Sequence, residues 1–417
     1  MMTRQFARAV IGAGYGDEGK GLLVDSLAAA TPGVTVVRFN GGAQAGHTVT
    51  TPDGRRHVFH HLCAGALAGA ESFLSRFFVV NPILFAAEAD ALAQLGANIG
   101  VAVDPRASVT LPADMMINQI VERGRGNARH GSCGLGIGET IERNLRPEFA
   151  VTVADLVDRP RLQAILSRVR KHWTDERLAT LGRRDLSDEE RALLADTSID
   201  EHWLDDVAVF SSRARVATTP GDGPLIFEGG QGLKLDQTRG AYPFVTRSNT
   251  GSRNVVDLAH DWGVEALDLI YVTRCYRTRH GAGPLAHEHM TALFPGLIDA
   301  TNLPNPWQGT LRFAPLDLDE LAADILADCA DASGLATTTT LAMTCLDQAP
   351  AEVDVFADGG PKRITPEALA RMTATKCRAT RLLTSFGPTR KTLADSEIGD
   401  ELRDVGLRTS PPHPRRQ

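Results

Sequence analysis

The stretch from residue 7 to residue 30 constrains the fold more than any other. Ala7-Arg8-Ala9-Val10-Ile11-Gly12 is a short apolar run closed by glycine, as a buried strand is, and Gly19–Ala30 reads as a helix. Between them lies Gly12-Ala13-Gly14-Tyr15-Gly16-Asp17-Glu18-Gly19-Lys20-Gly21, too rich in glycine to continue either element. Strand, glycine turn and helix open an α/β domain. A second strand is expected at Val34–Phe39 and a third at Phe77–Val80, with later apolar runs at Leu225–Phe227 and Leu269–Thr273. Helical patterns such as Ile83–Leu95 and Leu318–Ala327 alternate with them. The alternation predicts an α/β fold with a largely parallel central sheet flanked by helices on both faces.

Residues 1–405 read as one domain, with neither an internal repeat nor a convincing linker, and residues 406–417 as a flexible tail rich in proline and arginine. Between Arg159 and Trp203 the sequence turns charged and helical, which predicts a solvated surface excursion over 159–206. The chain has 417 residues, 43% of them hydrophobic and 23% charged, enough for one large or two medium cores. Its net charge of −7 argues against polynucleotide as a partner, because phosphate contacts dominate such binding. The six cysteines (Cys63, Cys133, Cys275, Cys329, Cys345, Cys377) lie far apart, with neither zinc-ligand spacing nor a disulfide framework. No stretch approaches a membrane span, so a cytoplasmic enzyme is expected, in a host cytoplasm if the source is viral. Arginine outnumbers lysine 38 to 6, which makes a lysine in the first glycine loop notable.

That loop follows phosphate-binding logic. Glycines let backbone N–H groups approach phosphate oxygens, the following helix contributes its positive end, and Lys20 can neutralise a terminal phosphate. The ordinary motif ends Gly-Lys-Ser/Thr, whereas Gly21 follows Lys20 and an Asp-Glu pair sits inside the turn. A carboxylate among phosphates is unfavourable unless it binds Mg²⁺ or takes a proton, so Asp17 points to catalysis. Four more glycine loops follow: Gly41–His47, Gly131–Gly138, Glu228–Gly232 and Thr278–Pro284. Five such loops predict a long crevice that holds several phosphates and a base. His47, between Gly46 and Thr48, reads as a general acid or a phosphate ligand.

In order and content these loops resemble the adenylosuccinate synthetase family. Its Gly-Asp-Glu-Gly-Lys-Gly stands at 16–21, its Gly-Gly-x-x-Ala-Gly-His-Thr at 41–48 and its Glu-Gly-x-Gln-Gly at 228–232. The stretches Gly240–Thr250 and Thr278–Pro284 match too, Thr344-Cys345-Leu346-Asp347 is similar to its Thr-x-Leu-Asp, and Ser385-Phe386-Gly387-Pro388 to its Ser-Thr-Gly-Pro. The resemblance implies a phosphate-loop-like nucleotide-binding fold and a ligase that joins L-aspartate to C6 of a 6-oxopurine nucleoside monophosphate through a 6-phosphoryl intermediate. Asp17, His47, Lys20 and Gln231 would be catalytic, and Mg²⁺ would be held by Asp17 and Gly46. The purine monophosphate would meet Gln44, Ser132, Cys133, Arg146, Gln231 and Thr246. The triphosphate would meet Gly16, Gly19, Lys20, Gly46, Thr48, Asp347, Ser385, Gly387 and Pro388. In the family an arginine crosses a dimer interface to the monophosphate, and Arg143 or Arg146 fills that place, so a homodimer is implied.

The departures from the pattern are specific. Gln44 replaces an asparagine, Ser132-Cys133 replaces a Thr-Thr pair, and Cys345 stands where many members have lysine. The arginine-rich aspartate loop has become Asn305-Pro306-Trp307-Gln308-Gly309-Thr310-Leu311-Arg312-Phe313, so Gln308, Gly309, Thr310 and Arg312 are left to bind aspartate. One lost arginine lies near the ribose 2′-hydroxyl in the family. The collection looks like the viral 2-aminoadenylosuccinate synthetase branch, which succinylates dGMP with ATP or dATP for 2-aminoadenine DNA; the alternative is a conventional synthetase that uses IMP and GTP. The retained Asp17 argues against that branch, since a 2-amino group needs room near the carboxylate. From other classes, a phosphotransferase needs no amino-acid loop, and a dead nucleotide-binding protein would have lost Asp17, Lys20 or His47.

Overall fold

The computed structural model describes residues 6–289, 297, 299, 301, 302, 304 and 306–398. Asn305 of the expected aspartate loop, residues 399–405 of the expected domain and the tail at 406–417 lie outside the described residues. The architecture is α/β around a ten-stranded sheet. Its strands are β1 (Ala7–Gly12), β2 (Thr35–Arg38), β3 (Glu71–Leu74), β4 (Val101–Val103), β5 (Ala214–Val216), β6 (Leu225–Gly232), β7 (Ala266–Arg274), β8 (Ala336–Thr344), β9 (Arg381–Ser385) and β10 (Leu393–Glu397). They lie in the order β10-β9-β8-β7-β1-β6-β2-β3-β4-β5, and every neighbouring pair is parallel except β9 with β10.

β1 lies between β6 and β7, with Ala9 beside Phe227 on one side and Leu269 on the other. From β1 the chain runs outward through β2 to β5, returns to β6, then passes over β1 to β7. Loops therefore leave the carboxyl ends of β1, β6 and β7 in different directions and open a crevice there, the usual ligand position in such sheets. Side chains alternate across the strands. Val10, Ile226 and Ile270 join one core cluster, while Ala9, Ile11, Phe227 and Leu269 join the other, so the sheet is buried on both faces.

Two expectations need correction. The third strand of the sheet is Glu71–Leu74, whereas Val79–Val80 forms only a short parallel ladder with Ser108–Val109. Glu71 and Ser72 open β3 with polar side chains, and the Ser72 hydroxyl stays buried by accepting from the Cys63 N–H at 3.0 Å. A search for apolar runs passes over such a strand. The excursion is helical, but it is no mere surface feature. Leu162, Ile165, Trp173, Trp203, Val207 and Phe210 belong to the first core cluster, and the Trp203 indole N–H donates to the Thr110 carbonyl at 3.0 Å. Within it, only the helix Asp188–Ala195 buries no residue, whereas Arg170 and Arg177 are half-buried in contacts with Asp200 and Glu139.

Candidate functional site

The first glycine loop joins β1 to helix α1 (Lys20–Ala29), which Gly19 starts in the left-handed region at φ 95°. Asp17 stands at the loop tip with φ 59°, half exposed, its carbonyl accepting from Arg274 Nε. Aspartate enters that left-handed region more readily than most residues with a side chain, because its short polar group can hydrogen-bond locally. Its neighbour Glu18 turns inward. The Glu18 carboxylate accepts the Gly14 N–H, lies 3.6 Å from Lys20 Nζ, and is pushed up in pKa by burial, with Lys20 opposing. The space beside it admits no side chain on Gly12, where a Cβ would stand 2.1 Å from Glu18 Oε2 and 2.6 Å from the Gln231 carbonyl. Thr344 Oγ1 donates to the Glu18 carbonyl at 2.8 Å and ties the loop to the end of β8.

His47 begins a two-stranded ribbon, His47–Thr50 with Arg56–Phe59, that packs on α1. The contact needs Gly21, since a Cβ there would lie 2.6 Å from the Thr48 carbonyl. His47 Nδ1 is 2.6 Å from Glu228 Oε1, and Nε2 is buried without a hydrogen-bond partner. Burial pushes the imidazole down to about 4, so at neutral pH it is uncharged and Nδ1–H donates to the carboxylate. Burial works to raise Glu228, but His47 and Arg38 outweigh it and hold the carboxyl low. A neutral imidazole with an ionised carboxylate behind it gains affinity for a proton once anionic oxygens gather in front of it. Next to it, His60 Nδ1 is 3.1 Å from the Ala43 carbonyl and 2.9 Å from the Ala45 carbonyl, which sets the turn carrying Gln44 and Gly46. Both polar atoms of the Gln44 carboxamide are buried and unpartnered.

The remaining loops interlock with these. Asn40 exchanges two hydrogen bonds with the Gly230 backbone, at 3.0 and 2.7 Å, and the Gly41 N–H donates to Ser248 Oγ at 3.2 Å. Gln231 lies over Gly16 with φ 65°, and Thr246 is half-buried with its N–H bonded to the Leu235 carbonyl at 2.8 Å. Ser132 Oγ donates to Asn118 Oδ1 at 2.8 Å, and burial pushes the neighbouring Cys133 thiol up, so it remains neutral. On the far side of β1, Asp347 is exposed on a turn after β8 that begins with Cys345 at φ 61°. After β9, Ser385 Oγ donates to the Gly387 carbonyl at 2.8 Å, in the loop that ends at Pro388. Arg390 pairs at 2.9 Å with Asp25 of α1 and pins that loop down.

The two candidate interface arginines separate clearly. Arg143 is fully buried, bonded to Asp114 and to the Val109 and Phe149 carbonyls, and so cannot reach another molecule. Arg146 is exposed and pairs with Glu148 at 2.8 Å and Glu176 at 3.5 Å.

The altered loop docks on the Gly131–Gly138 loop. Gln308 Nε2 donates to the Gly131 carbonyl at 3.0 Å, and a Cβ on Gly134 would lie 2.8 Å from the Trp307 ring. Gly309 has φ 70° and Thr310 is exposed. Arg312 belongs to a second ribbon, Arg277–Arg279 with Arg312–Ala314. It donates to Glu288 at 2.6 Å and to the carbonyls of Gly281 and Gly283 at 2.9 and 2.8 Å. Sequence reasoning passed over Glu18, Glu228, Arg274 and Arg277 as site residues. Glu228 stood inside a recognised motif, and the other signal was an unusual run of arginines, 274, 277 and 279.

The adenylosuccinate synthetase family model matches residues 9–301. Curated relatives include the adenylosuccinate synthetase of Anaeromyxobacter sp. strain K, 34% identical over 289 residues, 67% of this chain and 64% of that one. That of Synechococcus sp. strain WH7803 is 33% identical over 293 residues, 70% and 65% of the two chains. The match thus spans less than two thirds of these relatives. Among solved structures, the fully ligated adenylosuccinate synthetase of Plasmodium falciparum shares the fold at a TM-score of 0.71 and 18% identity, covering 93% of this chain and 99% of its own. The succinoaminodeoxyadenylate synthetase of cyanophage S-2L, bound to dGMP and dATP, gives 0.55 and 18%, covering 94% and 95%.

Proposed function

The chain belongs to the adenylosuccinate synthetase family, and from that premise we propose that it is an Mg²⁺-dependent ligase joining L-aspartate to C6 of a 6-oxopurine nucleoside monophosphate, with dGMP as the nucleotide. One observation carries the ligase reading: Asp17 lies in a strand-to-helix phosphate loop, with the buried Glu228–His47 pair close by, Glu228 in β6 beside β1 and His47 at the start of the ribbon packed on α1.

In the first step Asp17 takes the N1 proton of the purine while O6 attacks the γ-phosphorus, and the nucleoside diphosphate leaves. Lys20 and the N-terminus of α1 offset the charge of the transferring group, and His47 takes up a proton as negative charge gathers in front of it. In the second step the amine of aspartate attacks C6, forming the C–N bond as the C–O bond breaks and phosphate departs. Phosphorylation is needed because an amide-like oxygen is otherwise a very poor leaving group. Gln231 and Gln44 offer hydrogen bonds to the purine nucleotide, Ser132, Cys133 and Thr246 to its phosphate. Arg146 is the exposed guanidinium for a phosphate across a homodimer interface. Asp347 lies at the place of the triphosphate's base, and Ser385, Gly387 and Pro388 close that end of the crevice.

The donor set fits Mg²⁺. Asp17 supplies one hard carboxylate oxygen and Gly46 a backbone carbonyl, and among the described residues no cluster of three or more His, Cys, Asp or Glu forms a protein cage. Few protein oxygens with the rest from water and substrate phosphates is how this ion is ordinarily bound. When bound it neutralises charge on the transferring phosphoryl group.

The preference for dGMP is supported by the altered loop. Between 306 and 313 the only guanidinium is Arg312, already engaged by Glu288 and two carbonyls, and an indole lies against Gly134 of the phosphate loop. Such a surface gives no reason to prefer a ribose 2′-hydroxyl. The cyanophage synthetase bound to dGMP and dATP shares the fold, as does the conventional synthetase of Plasmodium falciparum, so the altered loop is what favours dGMP. A paired turnover assay with Mg²⁺, L-aspartate and ATP, with GTP in parallel, and products resolved by mass, tests it. The aspartate adduct is expected with dGMP and not with IMP. An adduct with IMP alone would make this a conventional synthetase, and nucleotide phosphorylation without aspartate would make it a phosphotransferase.

A further inference from the structure

The 277–279 and 312–314 ribbon presents Arg277, Arg279 and Arg312 on one face toward the Asp17 loop, because alternate residues and directly paired residues share a face of a two-stranded ribbon. Their donors are not equally spent. Arg279 lies over the Tyr15 ring at 4.3 Å and donates to the carbonyls of Ala282, Pro284 and Phe244 at 3.0, 2.7 and 3.1 Å. Arg312 is engaged as described above. Arg274, just before the ribbon, donates to the Asp17 carbonyl, the Tyr276 hydroxyl and Asp299. Arg277 differs. It is 4% exposed, its Nη1 pairs with Glu320, and its Nη2 is buried without a hydrogen-bond partner.

Arg277 also helps line a narrow cleft, with Gly14, Gly16, Glu18, Arg274 and Thr278 among others, that runs against the loop carrying Asp17. A guanidinium nitrogen buried without an acceptor is costly, and an anion offsets that cost. The local charge permits one. Glu320 is shared between Arg277 and Lys234, Asp299 is taken by Arg274, and Glu18 faces Lys20 at 3.6 Å. A dicarboxylate also needs a cation that the 306–313 loop does not offer free. We propose that Arg277 binds a carboxylate of the amino-acid substrate, in the cleft beside Asp17, in place of the arginines absent from the 306–313 loop. The inference rests on the ligase reading for the identity of the amino acid.

The test is L-aspartate binding by calorimetry to the full chain in the presence of dGMP, then steady-state kinetics, for the wild type, Arg277→Lys and Arg277→Met. Lysine keeps a cation toward Glu320 but loses the second donor, so it serves if the methionine variant fails to fold; melting temperatures identify that case. Loss of one charge-assisted hydrogen bond predicts a rise of about 10- to 100-fold in the Kd and KM for aspartate, with KM for both nucleotides within about twofold. Unchanged aspartate binding overturns the inference, and so does a rise in triphosphate KM alone, which would make the anion a phosphate. Aspartate binding that depends on Arg277 without any adduct would leave the inference standing and overturn the ligase reading.

Discussion

The two flanks of β1 handle charge differently. On the side of β6 and β2, the loops are tied to one another through backbone: Asn40 to Gly230, Gly41 to Ser248, Lys234 N–H to the Gly14 carbonyl at 2.9 Å. The ionisable groups there are largely buried, and they include two histidine–carboxylate clusters, His47 with Glu228 and His57 and His61 with Glu88. On the side of β7, the ribbon carries several guanidiniums, each held by a different set of carboxylates and carbonyls. In the proposed ligase phosphate would be bound by main-chain N–H groups at a helix start, which tolerates little change in the spacing of glycines. Choice among substrates rests on which side-chain donors remain unspent, and this changes with single substitutions. The family match ends at residue 301, just before the altered loop.

The largest effect that sharpens the contrast comes from Asp17→Asn. Removing a proton acceptor from the loop tip predicts a fall in kcat of about 10³-fold, within the range of general base catalysis. A half-exposed side chain leaves stability within about 0.5 kcal/mol. Steady-state kinetics with a melting curve check both; retention of more than a tenth of kcat would remove Asp17 from the chemistry. Next is Glu228→Gln, which takes away the charge that steadies a protonated His47 and predicts a loss of about 10²-fold in kcat. The same pair sets a pH dependence of stability. His47 is neutral in the fold, with a pKa pushed by burial to about 4, whereas in the unfolded chain it titrates near its ordinary value of 6.5. The unfolded state therefore binds more protons between these values. His47 thus makes stability fall as pH drops from about 6.5 to 4. Urea midpoints across that window should fall more steeply for the wild type than for His47→Gln, and parallel curves would show that the imidazole is not held neutral.

The same division explains what could be read in advance. β1 was legible to the residue from its apolar run and closing glycines, and Asp17 falls in the loop after it, Lys20 at the start of α1, His47 at the start of the ribbon and Gln231 near the end of β6. β3 was missed because Ser72 is polar yet satisfied inside the core, and hydrogen-bond partners distant in sequence leave no local pattern. The excursion was misjudged for a similar reason: its exposed charges dominate the composition, whereas Trp173 and Trp203 determine its packing. Arg143 and Arg146 are three residues apart and chemically identical, but only the fold reveals that Asp114 encloses the first. Arg277 could not be distinguished from Arg279 by sequence, because what separates them is the number of carbonyls that happen to surround each guanidinium.

The smallest predicted effect tests the β7 flank at its most exposed member. Glu288 accepts from Arg312 Nη1 at 2.6 Å, with side-chain exposures of 39% and 25%, so the pair is a half-solvated ion pair worth about 0–1 kcal/mol. If Glu288 occupies a donor that a substrate carboxylate would otherwise use, then Glu288→Gln frees part of Arg312 and lowers KM for aspartate by up to about fivefold, the factor that ~1 kcal/mol allows. The two carbonyl bonds from Gly281 and Gly283 keep the guanidinium in place, so the melting temperature should hardly move. The direction of the change matters more than its size. A lower KM means that Arg312 and Arg277 share the dicarboxylate and that Glu288 tempers the affinity. A KM that rises means that Glu288 positions Arg312 for the substrate, and an unchanged KM means that Arg312 only holds the 281–284 turn, leaving Arg277 as the cation on which recognition depends.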